Sequence, residues 1–345
     1  MQLSSNFEKM PLIFATMEFR TEIICDPSPE KIGLESPVIT VGSCFADVMG
    51  QRLAANKFNV LANPFGNIYN PISIHALLLM AIKQSVPSEQ SFIQRSAIWY
   101  NDHFHSAYSA STKGDLQTQL TSIIEQTHTQ LTRAKWLIIT YGTSWVYERT
   151  DRKEIVANCH KLPASYFRKT LLEEGQIISS FSHLYAYLTK LNPSIRIILT
   201  VSPVRHIKDT LALNNVSKSL LRIACHKIVQ QYSDVAYFPS YELMLDDLRD
   251  YRFYKSDMIH PTVDAEDYIW EKFSHTYFDS STKHFLSNWK EIQAALRHKP
   301  FHPHAEEHQR FIKTTIRKLE QLRAKVDVSN EIALLQRQLI NPPMV

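Results

Sequence analysis

Two distant segments of the chain carry side chains that can combine into a catalyst. Val38-Ile39-Thr40-Val41 runs directly into Gly42-Ser43-Cys44, so a hydroxyl and a thiol sit side by side where a strand ends. Near the other end, Ser256-Asp257-Met258-Ile259-His260-Pro261 places a carboxylate and an imidazole three residues apart on a short turn. At that spacing Asp257 can hold His260 in one tautomer, and His260 can take a proton from a hydroxyl or a thiol. The chemistry implied is nucleophilic attack on an acyl carbon, with Ser43 and Cys44 both open as the nucleophile. A third segment, Trp136 to Tyr141, ends at Gly142-Thr143-Ser144 and brings two more hydroxyls to a strand end.

These groups meet only if the strands are parallel neighbours with their carboxyl ends on one edge. The pattern predicts that arrangement. Short apolar runs at Val38–Val41, Trp136–Tyr141, Ile195–Val201 and Val235–Phe238 alternate with helical patterns at Ala46–Lys57, Ile72–Lys83, Asp115–Arg133, Leu171–Leu191 and Ser217–Tyr232. Buried strands separated by helices indicate a parallel sheet covered on both faces. Phe58–Leu61 reads as a further short strand, and Asn63 to Pro71, dense in turn formers, as a shaped loop. Ser217 reads as the N-cap of its helix. The segment Phe92–Tyr108 reads as an aromatic insertion, Asp151–Phe167 as a loop, and Tyr241–Arg249 as a helix. From Ala265 onward the pattern is helical and charged, with breaks at Pro300-Phe301-His302-Pro303 and near Asp327. The expected organisation is a leader over 1–16, an α/β domain over 17–280 and a helical extension over 281–345.

Composition narrows the function classes. A net charge of +4 over 345 residues is too small to imply nucleic acid. No apolar run reaches the roughly 20 residues that span a bilayer. Four cysteines (Cys25, Cys44, Cys159 and Cys225) are too few for a disulfide scaffold, so free thiols in a reducing cytoplasm is the simpler reading. Asn158-Cys159-His160 has no partner pair for a metal, and no metal site is expected. A lone Cys after a strand is most often a core residue, and the Asp257–His260 pair is what favours a functional Cys44. Arg205-His206 follows a strand end, which leaves anion binding and a plain surface role both open.

The chain resembles the GSCFA family, named for the motif that stands here as Gly42 to Ala46. The resemblance extends over Asn63-Pro64-Phe65-Gly66, Tyr69-Asn70-Pro71, Asn158-Cys159-His160-Lys161, Val201-Ser202-Pro203-Val204, Ser217-Lys218-Ser219, Asp257 to Pro261 and His298-Lys299-Pro300-Phe301. That family looks related to the SGNH or GDSL hydrolases, which implies a flavodoxin-like three-layer α/β/α fold. In those enzymes Gly-Asp-Ser stands at the first strand end and Asp-x-x-His late in the chain. The register implies Cys44 as nucleophile with Ser43 as the fallback, His260 as base and Asp257 as its orienter. It further implies Gly66 as an oxyanion glycine. The relatives' Gly-x-Asn reads Gly142-Thr143-Ser144 here, so Thr143, Ser144 or Asn67 would replace the missing Asn donor. Losing one such donor costs on the order of a hundredfold in rate.

The resemblance therefore implies an acyl-ester hydrolase or acyltransferase that needs no cofactor. Its substrate would be a small molecule or glycan, such as an acylated carbohydrate or cell-envelope precursor. The alternative is a catalytically degenerate fold kept for binding or as a scaffold.

Overall fold

The computed structural model describes residues 21–339, so the leader expected over 1–16 lies outside the described residues. The chain opens with β1 (Val38–Gly42), α1 (Cys44–Ala55), β2 (Val60–Asn67) and α2 (Pro71–Lys83). A hairpin, β3 (Phe92–Arg95) and β4 (Ile98–Asn101), and the long α3 (Lys113–Arg133) lead to β5 (Trp136–Tyr141). Three short strands, β6 (Trp145–Arg149), β7 (Ile155–Val156) and β8 (Phe167–Leu171), precede α4 (Glu174–Leu191). Then come β9 (Arg196–Val201), α5 (Thr210–Gln231), β10 (Val235–Phe238), the short α6 (Ser240–Glu242) and α7 (Val263–Tyr277). The tail is α8 (Ser280–Arg297), α9 (Glu306–Leu322) and α10 (Ser329–Gln336).

Five of the strands form one parallel sheet in the order β10-β9-β5-β1-β2. The chain winds outward from β1 to β2 and then crosses over to β5. The crevice beyond the carboxyl ends of β1 and β5 is therefore the switch point where open α/β sheets bind ligands. Alternation along the strands divides the core in two. Ile39, Val41, Leu137 and Ile139 point to the face covered by α2, α3, α4 and α5. Val38, Trp136, Ile138 and Ile198 point to the face covered by α1 and α7. This is a three-layer α/β/α fold. Each fully buried Leu or Ile contributes about 1.5–3 kcal/mol by leaving water. The tail builds its own apolar cluster from α8, α9 and α10, including Phe285, Trp289, Ile312 and Ile332.

Four local expectations are corrected. Strand β2 runs on to Asn67, so Asn63 to Asn67 is strand and not loop. The region Asp151–Phe167 is not a plain loop, because β7, β6 and β8 pair as an antiparallel sheet above the main one. Its first strand, Trp-Val-Tyr-Glu-Arg, has no apolar–polar alternation that would mark it as a strand. Helix α5 begins at Thr210, which puts Ser217 in its interior. Solvent-facing Leu211, Leu213 and Val216 in its first turns hide that start from a pattern search. After α6 the helix widens to a π-turn over Leu243–Asp247 instead of running on to Arg249.

His75 on α2 is fully buried, with Nε2 2.6 Å from the Tyr141 hydroxyl and Nδ1 2.9 Å from Ser180 Oγ. Burial lowers its pKa to about 3, so the native state holds it neutral. Between about pH 3 and the unfolded value near 6.5 the unfolded chain binds a proton that the native chain lacks, so stability falls as pH falls through that window. One such group contributes a slope of about 1.4 kcal/mol per pH unit. His75→Gln is expected to remove about that much slope from urea-unfolding free energies measured between about pH 4 and 6. An unchanged slope would show that His75 titrates normally in the native state.

Candidate active site

The turn that carries the nucleophile candidates is fixed by backbone crowding. Gly42 has φ +134°, and a Cβ there would stand 2.1 Å from the Thr140 carbonyl oxygen on β5. Only glycine adopts that conformation with so close an approach. Its N–H donates to Asn63 Oδ1 at 3.0 Å, and the Ser43 N–H donates to the Thr140 carbonyl at 3.1 Å. Asn63 is held in turn by its own N–H to Thr40 Oγ1, at 3.1 Å, and by donation to Asn67 Oδ1, at 3.0 Å. Neighbours on both sides of β1 thus pin the peptide before Ser43 and Cys44.

The two nucleophile candidates part company here. Ser43 is 0% exposed, and its buried hydroxyl has no hydrogen-bond partner among the described residues. Cys44 is the first residue of α1, half-buried, and lines a cavity of about 350 Å³ at the switch point. His260 lines the same cavity. Burial pushes the Cys44 thiol above its ordinary pKa, while Lys218 and the backbone N–H groups of Cys44 and Phe45 pull it down. No hydrogen bond joins Cys44 to His260.

Asp257 and His260 do form a pair. His260 Nδ1 lies 2.7 Å from Asp257 Oδ2, and the Ile259 and His260 N–H groups donate to Asp257 Oδ1 at 2.9 and 3.0 Å. These bonds hold the Asp257 carboxyl well below the usual carboxylate range. With Nδ1 facing the carboxylate, Nε2 is the nitrogen left to exchange protons. Met258, at φ +57°, makes the tight turn that folds Ile259 and His260 back over Asp257.

The oxyanion candidates separate as well. Thr143 lines the cavity, whereas Gly66, Asn67 and Ser144 are not among its lining residues. Gly66 is backed by His105, whose Cβ would be 2.6 Å from a Cβ at 66. Asn67 sits on the end of β2 beside Gly42, bonded to Asn63. The Ser144 hydroxyl and N–H are both turned to Ser217, at 3.0 and 2.8 Å. Thr143 Oγ1 also meets Ser217 Oγ, at 2.9 Å, and accepts from the Trp145 N–H at 3.1 Å.

Two further residues belong to this site. Lys218 on α5 is 1% exposed, and its Nζ donates to the Ser202 carbonyl at 2.7 Å. No carboxylate pairs with it among the described residues. Burial lowers its pKa to about 7, and the Cys44 thiolate draws it back up. The sequence signal was a lysine in line with Leu221, Cys225 and Ile228 on the buried stripe of a helix. His206 lines the cavity beside Tyr69, ring centroids 5.2 Å apart, and burial lowers its pKa to about 3.

Asn158-Cys159-His160 does not line the cavity, although Val156 and Ala157 just before it do. His160 Nε2 is 2.8 Å from the Asn101 carbonyl and Nδ1 is 3.0 Å from Ser106 Oγ, which ties this loop to the β3–β4 insertion. Burial pushes the Cys159 thiol up to about 11. Among the described residues no group of three or more His, Cys, Asp or Glu side chains is placed to hold a metal ion. Nor is any helix there long and apolar enough to cross a membrane.

Residues 37–273 match the model of the GSCFA family, and residues 289–341 match the C-terminal domain of GSCFA domain proteins. No curated protein matches the chain.

The electrostatics of Cys44 can be checked without any substrate. Lys218 keeps its charge below about pH 7, so in that range Lys218→Met should slow iodoacetamide alkylation of Cys44, followed by mass spectrometry, relative to wild type. An equal or faster rate would show that Lys218 does not act on this thiol.

Proposed function

We propose, for this chain that belongs to the GSCFA family, a role as an acyl hydrolase or acyltransferase that works through a cysteine. The observation that carries the reading is a shared cavity. Cys44 and His260 line it together, and Asp257 grips the far nitrogen of His260.

Cys44 Sγ attacks the carbonyl carbon of an ester or thioester as its proton passes to His260 Nε2. Asp257 stabilises the imidazolium through Nδ1. The carbonyl π bond opens to an oxyanion, which faces the first N–H groups of α1. Thr143 supplies a second donor. If Ser217 donates to Thr143 Oγ1, the Thr143 proton is left for the oxyanion. Collapse expels the alcohol or thiol, which leaves with the proton from His260. Water or an acceptor hydroxyl, deprotonated by the same His260, then attacks the Cys44 thioester and restores the thiol. While Lys218 keeps its proton, its charge favours the thiolate and offsets part of the desolvation that opposes it. Hydrolysis or transfer follows from whether water or the acceptor reaches the thioester first. The acyl group would come from a glycan or cell-envelope precursor, a choice that rests on the family resemblance alone.

A series of p-nitrophenyl acyl esters tests the reading. Wild type and Ser43→Ala should each gain one acyl mass, mapped to Cys44, and Cys44→Ala should gain none. His260→Ala should slow acylation by about 10²–10⁴-fold, and Asp257→Asn by less. Absence of any adduct on wild type across the acyl series would instead favour a degenerate fold retained for binding.

A further inference from the structure

Charge of one sign dominates the cavity beyond Cys44. Lys169, Arg205 and Lys208 line it, against Asp209 as the carboxylate among the lining residues. Asp209 is already taken: it pairs with Lys169, which itself lies 4.8 Å from the Trp145 ring centroid. The other two cations have no carboxylate partner among the described residues. The Arg205 guanidinium is stacked 3.7 Å from the centroid of Tyr254, and one of its nitrogens donates to the Met258 carbonyl at 3.3 Å. Its backbone N–H donates to the Ile259 carbonyl at 3.2 Å. Arg205 is thereby tied to the very turn that carries His260, and its position relative to the base is fixed. The rest of the lining includes Trp145, Tyr147 and Val156 from the small antiparallel sheet, and the paired Lys169 lies over the first two rings, which leaves Val156 and the ring edges as the apolar surface.

A cleft with an unneutralised cationic rim and an apolar wall selects an amphiphile with an anionic end. Arginine and lysine with no carboxylate of their own are receptors for oxyanions. We propose that the substrate of this site carries a carboxylate or phosphate in its non-acyl half, held by Arg205 and Lys208, while the acyl chain lies on the wall formed by Trp145, Tyr147 and Val156. The proposal rests on the acyl-transfer reading for its geometry and adds the chemical class of the substrate. The anion sits on the His260 rim, so binding it presents the ester bond between the base and Cys44.

The probes are 4-acetoxybenzoate and its neutral counterpart 4-acetoxybenzamide. Wild type should show a KM about tenfold or more lower for the benzoate, and the gap should narrow as NaCl is raised. In Lys208→Met and in Arg205→Met the ratio of the two KM values should fall toward about one. Lys208 is exposed, so its replacement tests the site without disturbing the core. Calorimetric titration of Cys44→Ala with each probe reads binding apart from turnover. Equal KM values that ignore salt would overturn the anion site and leave acyl transfer standing. Binding of the benzoate that is lost in Lys208→Met, with neither probe turned over by wild type, would keep the anion site and remove acyl transfer. Failure of Cys44→Ala and wild type to prefer the benzoate in titration would overturn the proposal.

Discussion

Position 42 has no room for a side chain. The Thr140 carbonyl fills the space, and the backbone there holds a positive φ. Everything at the site follows from that contact. It lets β1 and β5 converge at their carboxyl ends, and it turns the chain so sharply that α1 starts at Cys44 without a connecting loop. Asn63 completes the turn from the β2 side by accepting the Gly42 N–H. One residue on, the turn buries the Ser43 hydroxyl, which has no hydrogen-bond partner among the described residues.

The electrostatics of Cys44 are a contest, and desolvation is the largest influence. A thiol at a helix N-terminus beside a lysine is normally acidified. Here burial outweighs the helix amides and Lys218, and the pKa ends above its ordinary value. Such a thiol is protected at rest, because the thiolate is the reactive form. His260 lines the same cavity, with Nδ1 already engaged by Asp257. Lys218 bears the same desolvation with the opposite sign, since burial makes it give up its proton more readily.

Much of the layout was legible from sequence because strong local patterns coincide with tertiary roles. Strands β1, β5, β9 and β10 are continuous apolar runs, and the breaks at Pro300–Pro303 and near Asp327 separate the tail helices as the pattern predicts. The tight turn at Gly42 and the i, i+3 contact of Asp257 with His260 were legible because both are local. The failures are equally physical. Asn63 to Asn67 is full of turn formers, yet pairing with β1 overrides their propensity and keeps the segment in strand. Ser217 looks like a cap, but its hydroxyl serves Ser144 and Thr143 across the interior. Whether a hydroxyl faces a cavity or a neighbour depends on long-range packing, which no window of sequence contains. That is why Ser144 and Thr143, adjacent and similar, could not be told apart beforehand.

The last turn of α1 ends at Ala55, whose carbonyl accepts from Trp289 Nε1 and Gln293 Nε2, both at 2.9 Å. Lys57, just beyond, pairs with Glu331 at 2.6 Å. The helix whose first residue is Cys44 is thus capped at its other end by the tail. A helix terminus leaves carbonyls that need donors, and these donors are supplied from far along the chain. The seam between the α/β unit and the tail helices is therefore a division in sequence and not in mechanics. Cutting the chain there would leave one end of α1 frayed and, through a rigid rod of three turns, loosen the purchase of the thiol at the other. The tail behaves as a buttress, and the two parts are bound to vary together.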